Sequence, residues 1–330
     1  MLRLLAYLYE KAIAVRNRLY DRGIFEVHDL RARTISVGNI TTGGTGKTPL
    51  VIHIAKLLAD RGETVCILTR GYGRVNPNTR ILVSDLSGIL AKPADSGDEP
   101  FEIATKLLGE AVVIADADRV AAAEWAQRKF GVTTFVLDDG FQHRRAKRDL
   151  DIVCIDATNP FGGNELLPAG RLRESIDGLK RASAIVITRA NLVQDISNLR
   201  SEISNLVSAA PIFECKTEIT NISPLRSTSA FNPCDKVFAF SGLGNPDAFV
   251  SQLKANKIEI VSSKNFPDHH KYSQVDVEII GVEARHARAN ALITTAKDAV
   301  KLVELKFEMP VFVAEIEVVI DVARSFEDLL

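Results

Sequence analysis

The chain has 330 residues, 46% of them apolar and 25% charged, with a formal net charge of −1. That is the profile of a soluble globular protein long enough for two domains and a sizeable core. Near-zero net charge argues against bulk electrostatic binding to nucleic acid, and no apolar run reaches the roughly 18 residues of a transmembrane helix. Four cysteines, Cys66, Cys154, Cys215 and Cys234, share no metal-ligand spacing. Cys66 and Cys154 lie in apolar, strand-like runs, so buried free thiols in a reducing cytosol are expected.

Residues 1–22 read as one amphipathic helix. Leu2, Leu4, Leu5, Leu8, Tyr9, Ala12, Ile13, Val15, Leu19 and Tyr20 cover a wide apolar face, interrupted only by Arg16. The opposite face carries Arg3, Glu10, Lys11, Asn17, Arg18 and Asp21. No small-residue cleavage site follows, so it is not a secretory signal. The pattern suits a helix lying in a membrane interface, and equally a helix packed on its own domain.

From Arg31 to about Ala190, short apolar strands alternate with helical stretches. Strands are expected at Ile35–Val37, Thr64–Thr69, Ala111–Ala115, Thr133–Leu137, Asp151–Ile155 and Ala184–Thr188. Helices are expected at Thr48–Arg61, Glu99–Leu108 and Arg119–Phe130. Near-continuous apolar strands separated by helices indicate a parallel sheet covered on both faces. Gly71–Asp98 is a long loop rich in Gly, Pro, Asn and Asp, with a short strand possible at Ile81–Val83. A second, smaller α/β pattern runs from Lys236 to Thr294. Two partly alternating runs, Pro211–Ile219 and Pro310–Val319, flank it and read as a two-stranded antiparallel ribbon joining the domains. The expected organisation is therefore a helix at 1–22, a P-loop NTPase-like α/β domain at 23–209, a ribbon at 210–222 and 310–320, and a smaller α/β domain at 223–309.

The first strand runs into Thr41-Thr-Gly-Gly-Thr-Gly-Lys-Thr48 and then a helix. This is the context of a phosphate-binding loop, in which backbone N–H groups of the turn and helix N-terminus stabilise an anion. The candidate ATP site is Thr41, Thr42, Gly43, Gly44, Thr45, Gly46, Lys47 and Thr48. Lys47 would bridge the β- and γ-phosphates, and the Thr48 hydroxyl would hold Mg²⁺. Thr41 stands where the strict pattern has glycine. Asp116, Asp138 and Asp156 follow apolar strands directly, at the end where parallel sheets bind ligands. Asp138, opening Asp138-Asp-Gly-Phe-Gln-His143, is the best candidate for the metal. Asp116 and Asp156 read equally well as caps or turns.

Asp98, in Gly97-Asp98-Glu99-Pro100, is either a helix cap or a carboxylate placed to take a hydroxyl proton. His269, in Phe266-Pro-Asp-His-His-Lys-Tyr272, is either a solvated loop histidine or the partner of an acid in the first domain. An Asp-His-His triplet also occurs in manganese phosphoesterases, but those need further Asp-rich motifs and no phosphate loop. Two basic clusters, Arg144 to Arg148 and Arg171 to Arg181, lack interleaved aromatics and suit phosphates or anionic lipid heads better than nucleic acid.

Together these motifs resemble the tetraacyldisaccharide 4′-kinase (lipid A 4′-kinase) family. The resemblance rests on Ser36-Val-Gly-Asn, Gly43-Gly-Thr-Gly-Lys-Thr-Pro49, Thr69-Arg-Gly-Tyr-Gly73, Gly97-Asp-Glu-Pro100, Leu137-Asp-Asp-Gly-Phe-Gln-His-Arg144 and Arg148-Asp-Leu-Asp-Ile152. It continues through Leu166-Leu-Pro-Ala-Gly-Arg-Leu-Arg-Glu174, Ser241-Gly-Leu-Gly-Asn-Pro246, Phe266-Pro-Asp-His269 and Thr294-Thr-Ala-Lys-Asp298. The family usually has glutamate where Ala296 stands and proline where Ser175 stands. The resemblance implies transfer of the ATP γ-phosphate to the 4′-hydroxyl of a tetraacyldisaccharide 1-phosphate, at the cytoplasmic face of a bacterial inner membrane. It gives the first helix a membrane role. It also implies Asp98 as general base with Asp139 and His269 as electrostatic partners. Lys47 would act in catalysis, Thr48 and Asp138 at Mg²⁺, and Tyr72, Arg119, Gln142 and His143 near the lipid headgroup or phosphates. No nucleic-acid or protein partner is inferred. The alternative is a P-loop nucleotide switch or metallochaperone-type NTPase. Thr42 stands where partitioning ATPases carry a signature lysine, and no Cys or His ligands occur at metal spacing.

Overall fold

The computed structural model describes residues 1–226, 230–233 and 235–330. Its elements are α1 (Leu2–Asp21), β1 (Arg33–Gly38), α2 (Lys47–Asp60), β2 (Val65–Thr69), β3 (Ile81–Ser84), α3 (Pro93–Ser96), α4 (Asp98–Lys106), β4 (Ala111–Ala115), α5 (Arg119–Phe130), β5 (Thr134–Asp138), β6 (Leu150–Asp156), β7 (Ala184–Thr188) and α6 (Ser197–Leu206). Then follow β8 (Ile212–Pro224), β9 (Lys236–Ser241), α7 (Pro246–Ala255), β10 (Glu259–Asn265), α8 (Gln274–His286), β11 (Ala291–Thr295), α9 (Ala296–Leu302), β12 (Val311–Ile320) and α10 (Ala323–Leu329).

Among the described residues the strands form one sheet, ordered β10-β9-β11-β12-β8-β7-β6-β1-β5-β2-β4-β3. β1 lies between β5 and β6, parallel to both, and its register sets Val37 beside Asp138 and Ile152. All five residues of β2, β4, β5 and β7 are buried. Helices cover both faces of these strands, which is why their apolar runs are continuous rather than alternating. One face packs on α2 through Leu50, Val51, Ile54 and Leu58, the other on α5 through Val120, Ala122, Ala123 and Ala126.

β8 and β12 pair antiparallel, from Cys215 opposite Ile320 to Pro224 opposite Phe312. Each also extends a neighbouring sheet: β8 runs parallel to β7 and β12 parallel to β11. A free two-stranded ribbon is marginal in water and exposes two edges. Splicing its ends into both halves removes those edges and makes the sheet continuous. The short run at Ile81 does form a strand, antiparallel to β4 on the sheet edge.

The last residues had no assigned element in the sequence. In the structure α10 folds back on the first half. Phe326 is fully buried and meets Phe213 edge-on at 5.1 Å, and Arg61 donates a hydrogen bond to the Glu327 carbonyl. Cys66, Cys154 and Cys215 are buried free thiols. Cys234 lies outside the described residues.

Within α1 only Ala6 is buried. Leu2, Leu4, Leu5 and Leu8 are 45–64% exposed. No helix of the described residues is long and apolar enough to cross a membrane.

Replacing Phe326 with alanine removes a fully buried ring from the first core. The variant is expected to lose about 3–5 kcal/mol of stability, read as a lower urea midpoint with little change in slope.

Candidate active site

β1 delivers the chain into the phosphate loop at the carboxyl edge of the sheet. Gly46, the N-cap of α2, is left-handed (φ 77°), and a side chain there would crowd Thr188 at 3.3 Å. Glycine is required because that turn points the first α2 N–H groups into open space. The loop is braced from outside. Asn39 donates to the Thr45 hydroxyl, Thr188 to the Thr45 carbonyl and Arg189 to the Gly44 carbonyl. Thr42 to Thr48 line a cleft of about 850 Å³. Thr41 does not line it. It is buried and bridges backbone-to-backbone with Leu172, while the Thr42 amide donates to the Arg171 carbonyl at 2.7 Å. A residue stitched into that segment does not need the freedom of glycine, which accounts for the departure from the strict pattern.

Two carboxylates stand at the end of β5 with different surroundings. Asp138 is buried and accepts a hydrogen bond from Thr69 at 3.0 Å. Burial, Glu99 and Asp139 push its carboxyl up to about 7 against the charge of Lys47. Asp139 is left-handed (φ 53°), accepts from Arg173 at both oxygens (2.8 and 2.7 Å), and lies 3.5 Å from the Lys47 ammonium. Burial works against its charge, but Lys47, Arg173 and Arg119 outweigh it and hold its carboxyl far below the usual range. The two carboxylates are thus driven in opposite directions, one up toward neutral pH and one firmly ionised.

The second half closes the cleft with two loops and a helix. After β9, Gly244 approaches the phosphate loop so closely that a Cβ there would lie 2.7 Å from the Gly43 Cα. Arg171 donates to the Gly244 carbonyl at 2.8 Å, and Asn245 to Asp156 at 2.9 Å. After β10, His269 adopts φ 60° and sets its Nδ1 3.5 Å from the Asp98 Oδ2. Asp98 is the first residue of α4, and the N-cap is Gly97, so Asp98 is not the side-chain cap. Gly97 has φ 94°, and a Cβ there would meet the Tyr72 carbonyl at 2.7 Å. From α9, Lys297 reaches Glu99 at 3.1 Å and Asp268 at 3.0 Å. Burial pushes the Asp98 carboxyl up, but the His269 hydrogen bond and the charges of Lys301 and His269 win, leaving it below its ordinary value.

His269, Glu99, Tyr72 and Gln142 line the cleft with Lys47, Thr48, Asp138 and Asp139. Tyr72 is largely exposed, with its ring 5.1 Å from the imidazole of His269. Gln142 donates to the Asn39 carbonyl and to Glu174. Asp98 stands one contact further back, its side chain 17% exposed. Asp139 is engaged with Lys47 and Arg173, so its influence is felt at the phosphate loop. Arg119 and His143 lie outside the cleft lining. Arg119 is buried at the start of α5, and burial together with Arg119 and Arg148 lowers His143 to about 4, leaving a neutral ring. Asp116 and Asp156 take structural partners: Arg80 and the Asp118 amide for the first, Arg189 and Thr158 for the second.

Sequence reasoning did not single out Arg173, Glu99, Lys297 or Lys301. Arg173 carried a signal as part of a basic cluster. The two lysines carried one in their spacing, four apart on a short helix after a strand. Helix α1 also enters the site: Tyr9, Ile13 and Arg16 line the cleft, and the Tyr9 hydroxyl donates to the Arg173 carbonyl at 2.8 Å.

Comparison with known proteins identifies the family. Residues 1–330 match the family described as tetraacyldisaccharide-1-P 4′-kinase. A tetraacyldisaccharide 4′-kinase of Halothermothrix orenii is 38% identical over 91% of this chain and 82% of that protein. One from Syntrophus aciditrophicus is 35% identical over 100% of this chain and 91% of that protein. The crystal structure of LpxK from Aquifex aeolicus in complex with ATP superposes with a TM-score of 0.77, at 32% identity over 98% of this chain and 96% of that one. The chain belongs to the tetraacyldisaccharide-1-phosphate 4′-kinase family.

Proposed function

We propose that the cleft between the two halves is where this kinase moves the γ-phosphate of ATP onto the 4′-hydroxyl of a tetraacyldisaccharide 1-phosphate, the reaction of its family in lipid A biosynthesis. The observation that carries the site assignment is the convergence of a phosphate loop with an Asp98–His269 pair drawn from opposite halves.

The phosphate loop and the α2 N-terminus bind the triphosphate through backbone N–H groups, and Lys47 adds a mobile positive charge. Asp139, itself gripped by Arg173, pairs with Lys47 at the mouth of the loop. The residues fit Mg²⁺. No group of three or more His, Cys, Asp or Glu side chains suited to a metal lies among the described residues, and Mg²⁺ bound chiefly by substrate phosphates and water needs only one or two carboxylates. Asp138 and Thr48 are the oxygen donors at hand, and the crowding of Asp138 by Glu99 and Asp139 calls for a cation. When bound, the ion neutralises charge on the transferred phosphoryl group.

Asp98 takes the proton of the acceptor hydroxyl. It does not need a high pKa, because phosphoryl transfer passes through a loose transition state in which positioning outweighs base strength. His269 holds Asp98 from the second half, and the Gly244 loop covers the phosphate loop. The base is therefore assembled only when the halves are together, which also excludes water.

We infer further that the enzyme works at the cytoplasmic surface of the inner membrane, docked by α1 as a peripheral protein. The support is the row of exposed leucines at Leu2, Leu4, Leu5 and Leu8, in the turns of α1 that precede the cleft-lining Tyr9 and Ile13. A lipid acceptor then reaches the site from the surface that the helix occupies.

Replacing Asp98 with asparagine is expected to lower transfer by about 10²–10⁴-fold with ATP binding retained, measured with labelled ATP and the lipid disaccharide 1-phosphate. Undiminished transfer would remove Asp98 from the base role. Exchanging Leu4 and Leu8 together for serine spares the Tyr9–Arg173 contact. It is expected to weaken binding to anionic lipid vesicles by at least about tenfold without altering ATP affinity; unchanged vesicle binding would refute the docking role of α1.

A further inference from the structure

One buried cation near the site has no part in the scheme above. Lys301, in α9, is only 9% exposed, and its ammonium lies between two carboxylates from different halves of the molecule. It is 2.8 Å from the Asp298 Oδ1 and 3.4 Å from the Asp98 Oδ2, and 5.4 Å from the centre of the Tyr272 ring.

The two anions are not equivalent. Asp298 is fully buried, and its Oδ2 accepts from the Gly242 amide at 2.9 Å and the Thr295 hydroxyl at 3.0 Å. Its position is set by the loop after β9 and by the start of its own helix, so its Oδ1 anchors Lys301. Asp98 belongs to α4 of the first half, and Lys301 reaches it across the α4–α9 contact. His269 and Lys301 both approach Oδ2 of Asp98. Two groups from the second half thus converge on the carboxylate of Asp98.

We propose that Lys301 is a positioning residue for the phosphoryl-transfer step, pinned by Asp298 so as to hold the Asp98 carboxylate ionised and fixed in place. The inference rests on the reading of Asp98 as the base. A buried ammonium is costly unless paired, and here the pairing falls on the base itself. The charged and titratable groups around Asp98 are His269 and Asp268 from the loop after β10, Lys297 and Asp298 from α9, Glu99 beside it, and Tyr272 beneath Lys301. Burial alone drives the Asp98 carboxyl upward, and Lys301 and His269 reverse that drive. Removing Lys301 therefore raises the pH at which the base gains its proton. Activity that needs ionised Asp98 is present above that pH and lost below it, so the acidic limb of kcat/KM must move to higher pH.

The test compares full-length wild type, Lys301→Met, Lys301→Arg and Asp98→Asn, with labelled ATP and the lipid disaccharide 1-phosphate across pH. Lys301→Met is expected to show kcat about tenfold lower, KM for ATP within about twofold of wild type, and an acidic limb raised by about one pH unit. Lys301→Arg is expected to restore both the limb and most of kcat. Lys301→Gln, which keeps a donor toward Asp298, replaces the methionine variant if that one fails to fold. An acidic limb unmoved in the uncharged variant, or an arginine variant no better than it, overturns the proposal, since a merely structural ion pair would lower kcat without moving the limb. If Asp98→Asn remains active, it is the base assignment that fails instead.

Discussion

The antiparallel pairing of β8 with β12 is the contact on which the rest of this molecule depends. Each strand is hydrogen-bonded on its other side to the sheet of its own half. The pairing therefore does more than link two bodies. It sets the carboxyl edge of β9, β10 and β11 beside that of β1, and from that edge come Gly244, His269 and α9. Had the two strands remained a free ribbon, their exposed backbone edges would be satisfied only by water and the angle between the halves would be soft. As a continuous sheet, they bring Gly244 against Gly43 and His269 against Asp98.

Charge in the cleft follows from that geometry. Glu99, Asp138, Asp139 and Asp268 line one space with Lys47, Arg173 and Lys297 set among them, and Asp98 and Lys301 pair just behind it. The partners are unevenly shared. Asp139 has two cations and stays ionised, whereas Asp138 has burial and two anionic neighbours and is pushed up to about 7. Adjacent carboxylates can serve different purposes because their surroundings drive them in opposite directions. The cleft thus has positive groups on the loop side and one under-neutralised carboxylate.

Helix α1 is joined to the same network. Its Tyr9 hydroxyl bonds the backbone of Arg173, the residue that grips Asp139, and Asn17 donates to Glu174, which Gln142 and Arg181 also hold. The leucines on its outer side remain uncovered. The helix therefore belongs to the active-site wall and to the molecular surface at once. The sequence left two readings of it open, a membrane-facing helix or a helix packed on its own domain; the structure shows contacts to its own domain and leaves Leu2, Leu4, Leu5 and Leu8 exposed.

Much of this was legible from residues alone. Apolar runs separated by helical stretches define buried parallel strands with few alternatives, and a glycine-rich turn between a strand and a helix can hardly be anything but an anion site. Asp138 stood out as one of two adjacent carboxylates at a strand end, whereas Asp98 and His269 had equally ordinary readings as a cap and a loop residue until the family resemblance gave them and Asp139 roles. What the sequence could not determine is which charges would meet. Arg173, Lys297 and Lys301 look like ordinary surface cations until β8 and β12 bring the two halves together, because a lysine's role depends on which carboxylates face it and not on its neighbours in the chain. Arg119 and His143, which the family resemblance implied near the headgroup or phosphates, lie outside the cleft lining, a placement that depends on packing rather than on local sequence. Local pattern determined the strands, the loop and the candidate acids. The pairing of ions across a sheet that joins distant segments was decided by tertiary structure alone, since electrostatic interaction depends on distance and burial, and neither is written in the order of residues.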